Sequence, residues 1–283
     1  MKASVNQSQS VELAEREIAR RFKEGRGSGS AQDYVPFLTV RDVPSTGRVH
    51  RLPSATVGRI HHLLSDLEYH VFCQLDWHMD VSDIREQFPI PRNESRRIAE
   101  KLGIAHPSVG GVDQVMTTDF IVDLDQGGRS ITKAISAKYS DKLDDARVLE
   151  KLELERSYWA EKGISYAIVT EKEIPHILVE NIKWIRPYLN SFDLTPTDQK
   201  EYFAIFQELT GLYGDQKIAR LATKLDGDYN TQSGTHLSVL RHLLAQSAFS
   251  FDMEKISVKN LTCQDLIPSE FWLTEQYEYV VGE

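Results

Sequence analysis

A chain of 283 residues, 41% of them hydrophobic, is longer than one average core requires and favours two domains. It has no apolar run of about eighteen residues and no hydrophobic leader, which excludes a spanning helix and points to the cytoplasm. Two cysteines in unlike contexts, Cys73 and Cys263, exclude a disulfide framework or zinc motif. The 33 basic against 42 acidic residues argue against a chain that grips DNA by charge alone.

In chain order, residues 11–24 (VELAEREIARRFKE) predict a short amphipathic helix, and GRGSGS, with glycines at 25, 27 and 29, stops it and opens a flexible loop. No strand precedes those glycines, so the spacing is not a nucleotide fingerprint. From 59 to 77 the residues Leu63, Leu64, Leu67, Val71, Phe72 and Leu75 fall on one face of a helix. Strands are predicted over 81–86, 118–124, 131–139 and 165–170, with a long helix over 145–162 between the last two. Helix, strands, helix, strand give an α/β domain with a mixed central sheet over residues 1–170. Residues 171–283 carry 10 basic and 17 acidic side chains, hence most of the acidic excess. They change to short helices at 176–187, 198–210, 215–225 and 235–247. The β-like FSFDM and KISVKNLTC follow, a mainly α pattern resembling a winged helix.

Three side chains stand out. Glu68 projects into the apolar arc of its helix, where a carboxylate must be paired or hold a metal, and an answering Arg is as good an account as a cation. Asp119 shares a strand face with Ile121 and Asp123, an ordinary place for a solvated Asp. Thr132, Ala134, Ser136 and Lys138 share a face of the next strand, so Ser136 and Lys138 project together. An Asp, then x-x-Lys on an adjacent strand, with a Glu from a preceding helix, is the arrangement of restriction-endonuclease-like nucleases. There oxygen ligands hold Mg²⁺, or Mn²⁺ in its place, and a Lys stabilises the transition state. The spacing alone is a weak signal.

Longer words carry more. GRIHHLLSDLE (58–68), DIREQFP (83–89), GVDQVMTTDF (111–120) and LEKLELERSYW (149–159) resemble the TnsA family. That resemblance implies a nuclease that cuts one strand at each transposon end, freeing the 5′ ends. It also implies a TnsB-like partner that cuts the 3′ ends and a TnsC-like ATPase contacted by a C-terminal winged-helix domain. It assigns metal binding to Glu68 and Asp119 and the catalytic lysine to Lys138. Where the family has Gln two residues before that lysine, this chain has Ser136, expected to reach the metal through water, with the Ala137 carbonyl as a further ligand. Glu155, on the buried stripe of its helix beside Val148, Leu152 and Trp159, either steadies Lys138 or snorkels to solvent. Arg48, Arg51 and Arg59 are candidates for DNA phosphates. His61 and His62, adjacent on the expected helix, would diverge and could not chelate together. Two other readings are a stand-alone restriction or repair nuclease of this fold and a non-catalytic adaptor whose Ser136 marks decay of the metal site. In the C-terminal domain, His236, Arg241 and His242 fall on the expected recognition helix, yet its acidic charge favours binding the ATPase over reading DNA.

Overall fold

The computed structural model describes residues 2–43, 48–54, 56–189 and 194–273, the first seven of these as backbone alone. Its contacts divide the chain into two units, Met1–Ile174 and Pro175–Glu283. The first begins with α1 (Lys2–Lys23), longer than the sequence pattern indicates. Arg92 fastens it by a bidentate pair with Glu15 at 2.9 and 2.7 Å. The glycine-rich segment that follows is packed rather than flexible. A Cβ on Gly27 would lie 2.2 Å from Pro89 Cγ, and the Gly27 N–H donates to the Val35 carbonyl at 2.6 Å. These glycines serve a close approach of two chain segments.

An antiparallel hairpin follows, β1 (His50–Pro53) and β2 (Ile60–Leu63), and then α2 (Asp66–Trp77). The helix expected from residue 59 thus starts seven residues later. Ile60–Leu63 alternate in burial as a strand does, and Ser65 caps α2 by accepting the Glu68 N–H at 3.1 Å. His61 and His62 accordingly point to opposite faces of a strand. They do not converge, although the geometry differs from that expected.

The main sheet has four strands in the order β3-β6-β7-β8. They are β3 (Val81–Pro89), β6 (Thr117–Gln126), β7 (Arg129–Ala137) and β8 (Ser165–Val169). Between β3 and β6 lie α3 (Arg92–Leu102), which the sequence reading did not foresee, and a small hairpin of β4 (Ser108–Val109) and β5 (Val112–Asp113). The β3–β6 and β6–β7 pairs are antiparallel and β7–β8 is parallel, with α4 (Ala146–Glu161) as the crossover. The sheet is therefore mixed, as the α/β pattern indicated. Leu67, Val71 and Phe72 of α2 pack with Ile84, Phe120 and Val122 on one face. On the other, Ile98 of α3 and Leu154, Tyr158 and Trp159 of α4 pack with Ile121 and Ala134.

The second unit holds α5 (His176–Ile185), α6 (Pro196–Leu212), α7 (Ile218–Asp228) and α8 (Thr235–Ala245) around a core that includes Phe203, Phe206, Leu221, Leu240 and Phe249. The β structure is smaller than expected. FSFDM supplies only β9 (Phe249–Ser250), paired with β10 (Ile267–Pro268), while KISVKNLTC is largely turns with one β-bridge between Lys217 and Thr262. No described helix is long and apolar enough to cross a membrane.

Candidate active site

Glu68, Asp119 and the Ser136–Lys138 run are delivered by different elements. Ser65 fixes the start of α2 and donates its hydroxyl to Glu68 Oε1 at 3.0 Å, while the Leu64 N–H donates to Glu68 Oε2 at 2.9 Å. The carboxylate is thereby folded back over the helix N-terminus, where the helix dipole favours negative charge. Asp119, at the start of β6, accepts the Ala137 N–H at 2.8 Å and the Lys138 ammonium at 3.0 Å, both on Oδ2. Lys138 also donates to the Ala137 carbonyl at 3.1 Å.

The residue that joins the two carboxylates is Gln87 of β3. Its Nε2 lies 3.2 Å from Glu68 Oε2 and 3.4 Å from Asp119 Oδ1. Nothing in the sequence marked it, because the expected strand stops at residue 86 and a Gln just past it looks like any half-solvated polar residue.

Ser136 and Lys138 leave the same strand face but serve different partners. The Ser136 hydroxyl donates to Glu155 Oε2 at 2.7 Å, and Glu155 is buried on α4 rather than reaching solvent. Glu155 acts on Lys138 by charge, without a direct hydrogen bond.

Burial first, and the nearby Asp119 charge second, push Glu68 up to about 7, and the same two causes push Glu155 up to about 7. Burial works against the charge on Lys138, but Asp119 and then Glu155 outweigh it, so the ammonium is held more firmly charged than usual. The site thus gathers carboxyl groups around the Lys138 ammonium.

A cleft of about 510 Å³ opens on this group, lined by Asp119, Lys138 and Glu155 and by the cations Lys142, Arg147 and Lys151. Those three basic residues were missed. They sit on and before the first turns of α4, where only the three-dimensional neighbourhood links them to Asp119. A larger hollow of about 710 Å³, between α1 and the β3–α3 segment, is lined mainly by apolar atoms and lies away from these carboxylates.

The arginines expected at phosphates fare differently. Arg59 is turned inward. Its guanidinium pairs with the buried Glu86, donates to the Ile84 carbonyl at 2.7 Å and lies over the Tyr34 ring at 5.1 Å. It is a core cation, because Glu86 is fully buried and needs a counter-charge. Arg51 is exposed on β1, and Arg48 is 84% exposed and 3.8 Å from Asp66, so both face solvent. In the second unit, His236 and His242 are buried, and Arg241 lies over the Trp184 and Tyr188 rings at 4.4 and 3.7 Å. None of the three is presented as a base-reading side chain.

Residues 78–171 match the family model described as TnsA-like endonuclease N terminal, and residues 173–253 match TnsA endonuclease C terminal. The first match includes Asp119, Ser136, Lys138 and Glu155. The Transposon Tn7 transposition protein TnsA of Escherichia coli is 43% identical over 270 residues, covering 95% of this chain and 97% of that protein. With both models and nearly the whole relative matched, the chain belongs to the TnsA family of transposon endonucleases.

Proposed function

We propose that this chain is a Mg²⁺-dependent endonuclease that hydrolyses one strand at each transposon end, freeing the 5′ ends, while a TnsB-like transposase cuts the 3′ ends. The observation that carries this reading is the convergence of Glu68 and Asp119 on one amide, with Lys138 3.0 Å from Asp119.

The residues fit a hard divalent cation. Two carboxyl groups and the Ala137 carbonyl offer oxygen ligands, and Glu68, buried beside the Asp119 charge, would be favoured in its ionised form by a cation there. Among the described residues no group of three or more His, Cys, Asp or Glu side chains forms a closed cage. That suits Mg²⁺, which keeps several waters and is bound through one or two carboxylates. A bound ion would lower the pKa of a water and offset charge on the phosphodiester.

The chain's own residues do the rest. Asp119, fixed by the Ala137 N–H and Lys138, would hold the cation through its other carboxylate oxygen. Lys138 places a positive charge where negative charge develops on the scissile phosphate. Ser136 donates its proton to Glu155, and its oxygen, on a side chain shorter than the family's Gln, would reach the ion through a water. Glu155, pushed up to about 7, anchors that hydroxyl. Lys142, Arg147 and Lys151, with Arg48 and Arg51 further out, supply phosphate contacts that position the strand without reading sequence.

We read the second unit as a winged helix built on α7 and α8 with its wing reduced to β9 and β10, and its role as contact with a TnsC-like ATPase. The test is a nicking assay with transposon-end duplex, the partner transposase and Mg²⁺. Wild type nicks at the 5′ ends and Asp119→Ala does not; equal cleavage by both overturns the reading.

A further inference from the structure

Gln87 has three features that a packing role leaves unexplained. Its backbone adopts φ +50°, a left-handed conformation that costs a non-glycine residue of order 1–2 kcal/mol. It does so inside an edge strand, opposite Asp119 in the register set by Glu86↔Phe120 and Phe88↔Thr118. Its carbonyl is turned out of the β3–β6 ladder and accepts the Phe37 N–H at 3.3 Å.

The side chain is only 2% exposed, and every polar atom on it is used. Thr117 Oγ1 donates to Gln87 Oε1 at 2.9 Å, which fixes the orientation of the amide and commits its N–H pair to the carboxylates. Those donors reach one oxygen each of Glu68 and Asp119, at 3.2 and 3.4 Å. The Asp119 oxygen is one its other anchors leave available, and the Glu68 oxygen is shared with the Leu64 N–H at 2.9 Å. Asp119 Oδ2 is already engaged by Ala137 and Lys138, and Glu68 Oε1 by Ser65. The amide nitrogen therefore stands between the two oxygens that a shared cation would contact.

Strain is kept in a fold when the surroundings over-determine it, and it clusters at functional positions. Here the strain aims one neutral donor at two neighbouring carboxylates.

We propose that Gln87 is a positioning residue that bridges Glu68 and Asp119 in the metal-free site, keeps both carboxylates facing one point, and gives up that point when the cation arrives. The proposal rests on the metal reading above. It makes Gln87 a competitor of the ion for two lone pairs as well as the organiser of its ligands.

The test uses the full chain, without DNA, and Mn²⁺ alone as probe, read by electron paramagnetic resonance and by melting temperature. Gln87→Glu keeps the shape and replaces donors by acceptors; Gln87→Ala removes the amide. Both variants melt below wild type without metal. Gln87→Glu then binds Mn²⁺ at least about tenfold tighter, because a third carboxylate replaces a competing donor. Gln87→Ala shows a larger rise in melting temperature on adding Mn²⁺ than wild type. A merely structural amide would lower melting equally with and without Mn²⁺ and leave Mn²⁺ affinity unchanged in both variants, which overturns the proposal. Loss of Mn²⁺ binding in Gln87→Ala also overturns it, since the side chain would then be a ligand. If wild type binds no Mn²⁺ that Asp119→Ala abolishes, the metal reading falls and takes the proposal with it. Binding that ignores Gln87 removes the proposal alone.

Discussion

Glu68 and Glu155 are acids whose protons the folded chain holds more tightly than the unfolded chain does. Their ordinary value is 4.5 and burial beside Asp119 raises both to about 7. Between those values the folded state carries protons that the unfolded state has released. The stability these groups contribute is complete below about pH 4.5 and is lost as pH rises through 7, by at most about 1.4 kcal/mol per pH unit for each group. Glu86 has the opposite sign. Its hydrogen bonds from His61 and Arg59 overcome burial and hold it down to about 2, so its contribution is present above 4.5 and fades as pH falls. Denaturant midpoints of the metal-free protein should therefore decline from pH 5 to pH 7, and Glu155→Gln should flatten that decline. A wild-type midpoint that climbs across the same window would show that the two acids are not held protonated. Glu86→Gln should cost about 3–5 kcal/mol at neutral pH, since it strands the buried Arg59 charge. A loss under 1 kcal/mol in urea unfolding would contradict that.

At the scale of elements, the site depends on where α2 begins. Ser65→Ala removes both the cap on the Glu68 N–H and the hydroxyl on its carboxylate, at a cost of about 1 kcal/mol. It should also weaken Mn²⁺ binding, because Glu68 loses one of its anchors; unchanged binding by calorimetry would mean that Leu64 and Gln87 hold it alone. The same boundary explains what the sequence concealed. Leu63, Leu64 and Leu67 fit a helical period, which extends the expected helix back to 59. The Ser65-x-x-Glu68 capping pattern was the better guide, since Ile60–Leu63 alternate in burial with Ile60 exposed and His61 buried, which the residue types alone do not show. Helix α3 escaped because of its eleven residues only Ser95, Ile98 and Ala99 are buried, too few to trace a stripe. Glu155 was legible because it lies on a stripe with Leu152 and Trp159. Gln87 was not, since strand alternation carries no information about a positive φ. The helix, strands and crossover of the first unit follow from local periodicity; the partners of each polar side chain follow from tertiary placement, which one sequence read alone does not encode in a legible form.

At the scale of the whole molecule, charge is divided in a way that bears on which unit holds DNA. Residues 175–283 carry 9 basic and 15 acidic side chains, and the Arg and His side chains of α8 already have partners within the unit. Asp226 accepts the Gly234 and His236 N–H groups and the His236 ring at 2.6, 3.0 and 2.7 Å. His242 Nδ1 lies 2.8 Å from the Tyr188 carbonyl, and Arg241 donates to the Trp184 carbonyl. A helix whose basic side chains are built into its own core has little left for a phosphate backbone. In the first unit, Lys142, Arg147 and Lys151 line the cleft that contains Asp119 and Lys138. Replacing all three by Ala in the full chain should weaken duplex binding and reduce the slope of log affinity against log salt by about 2–3, since each phosphate contact contributes about 0.9. Arg241→Ala should lower the melting temperature of the protein yet leave that slope unchanged. Fluorescence anisotropy over a salt series separates the two outcomes. A reduced slope in Arg241→Ala, with none in the triple variant, would move the DNA-binding face from the first unit to the second.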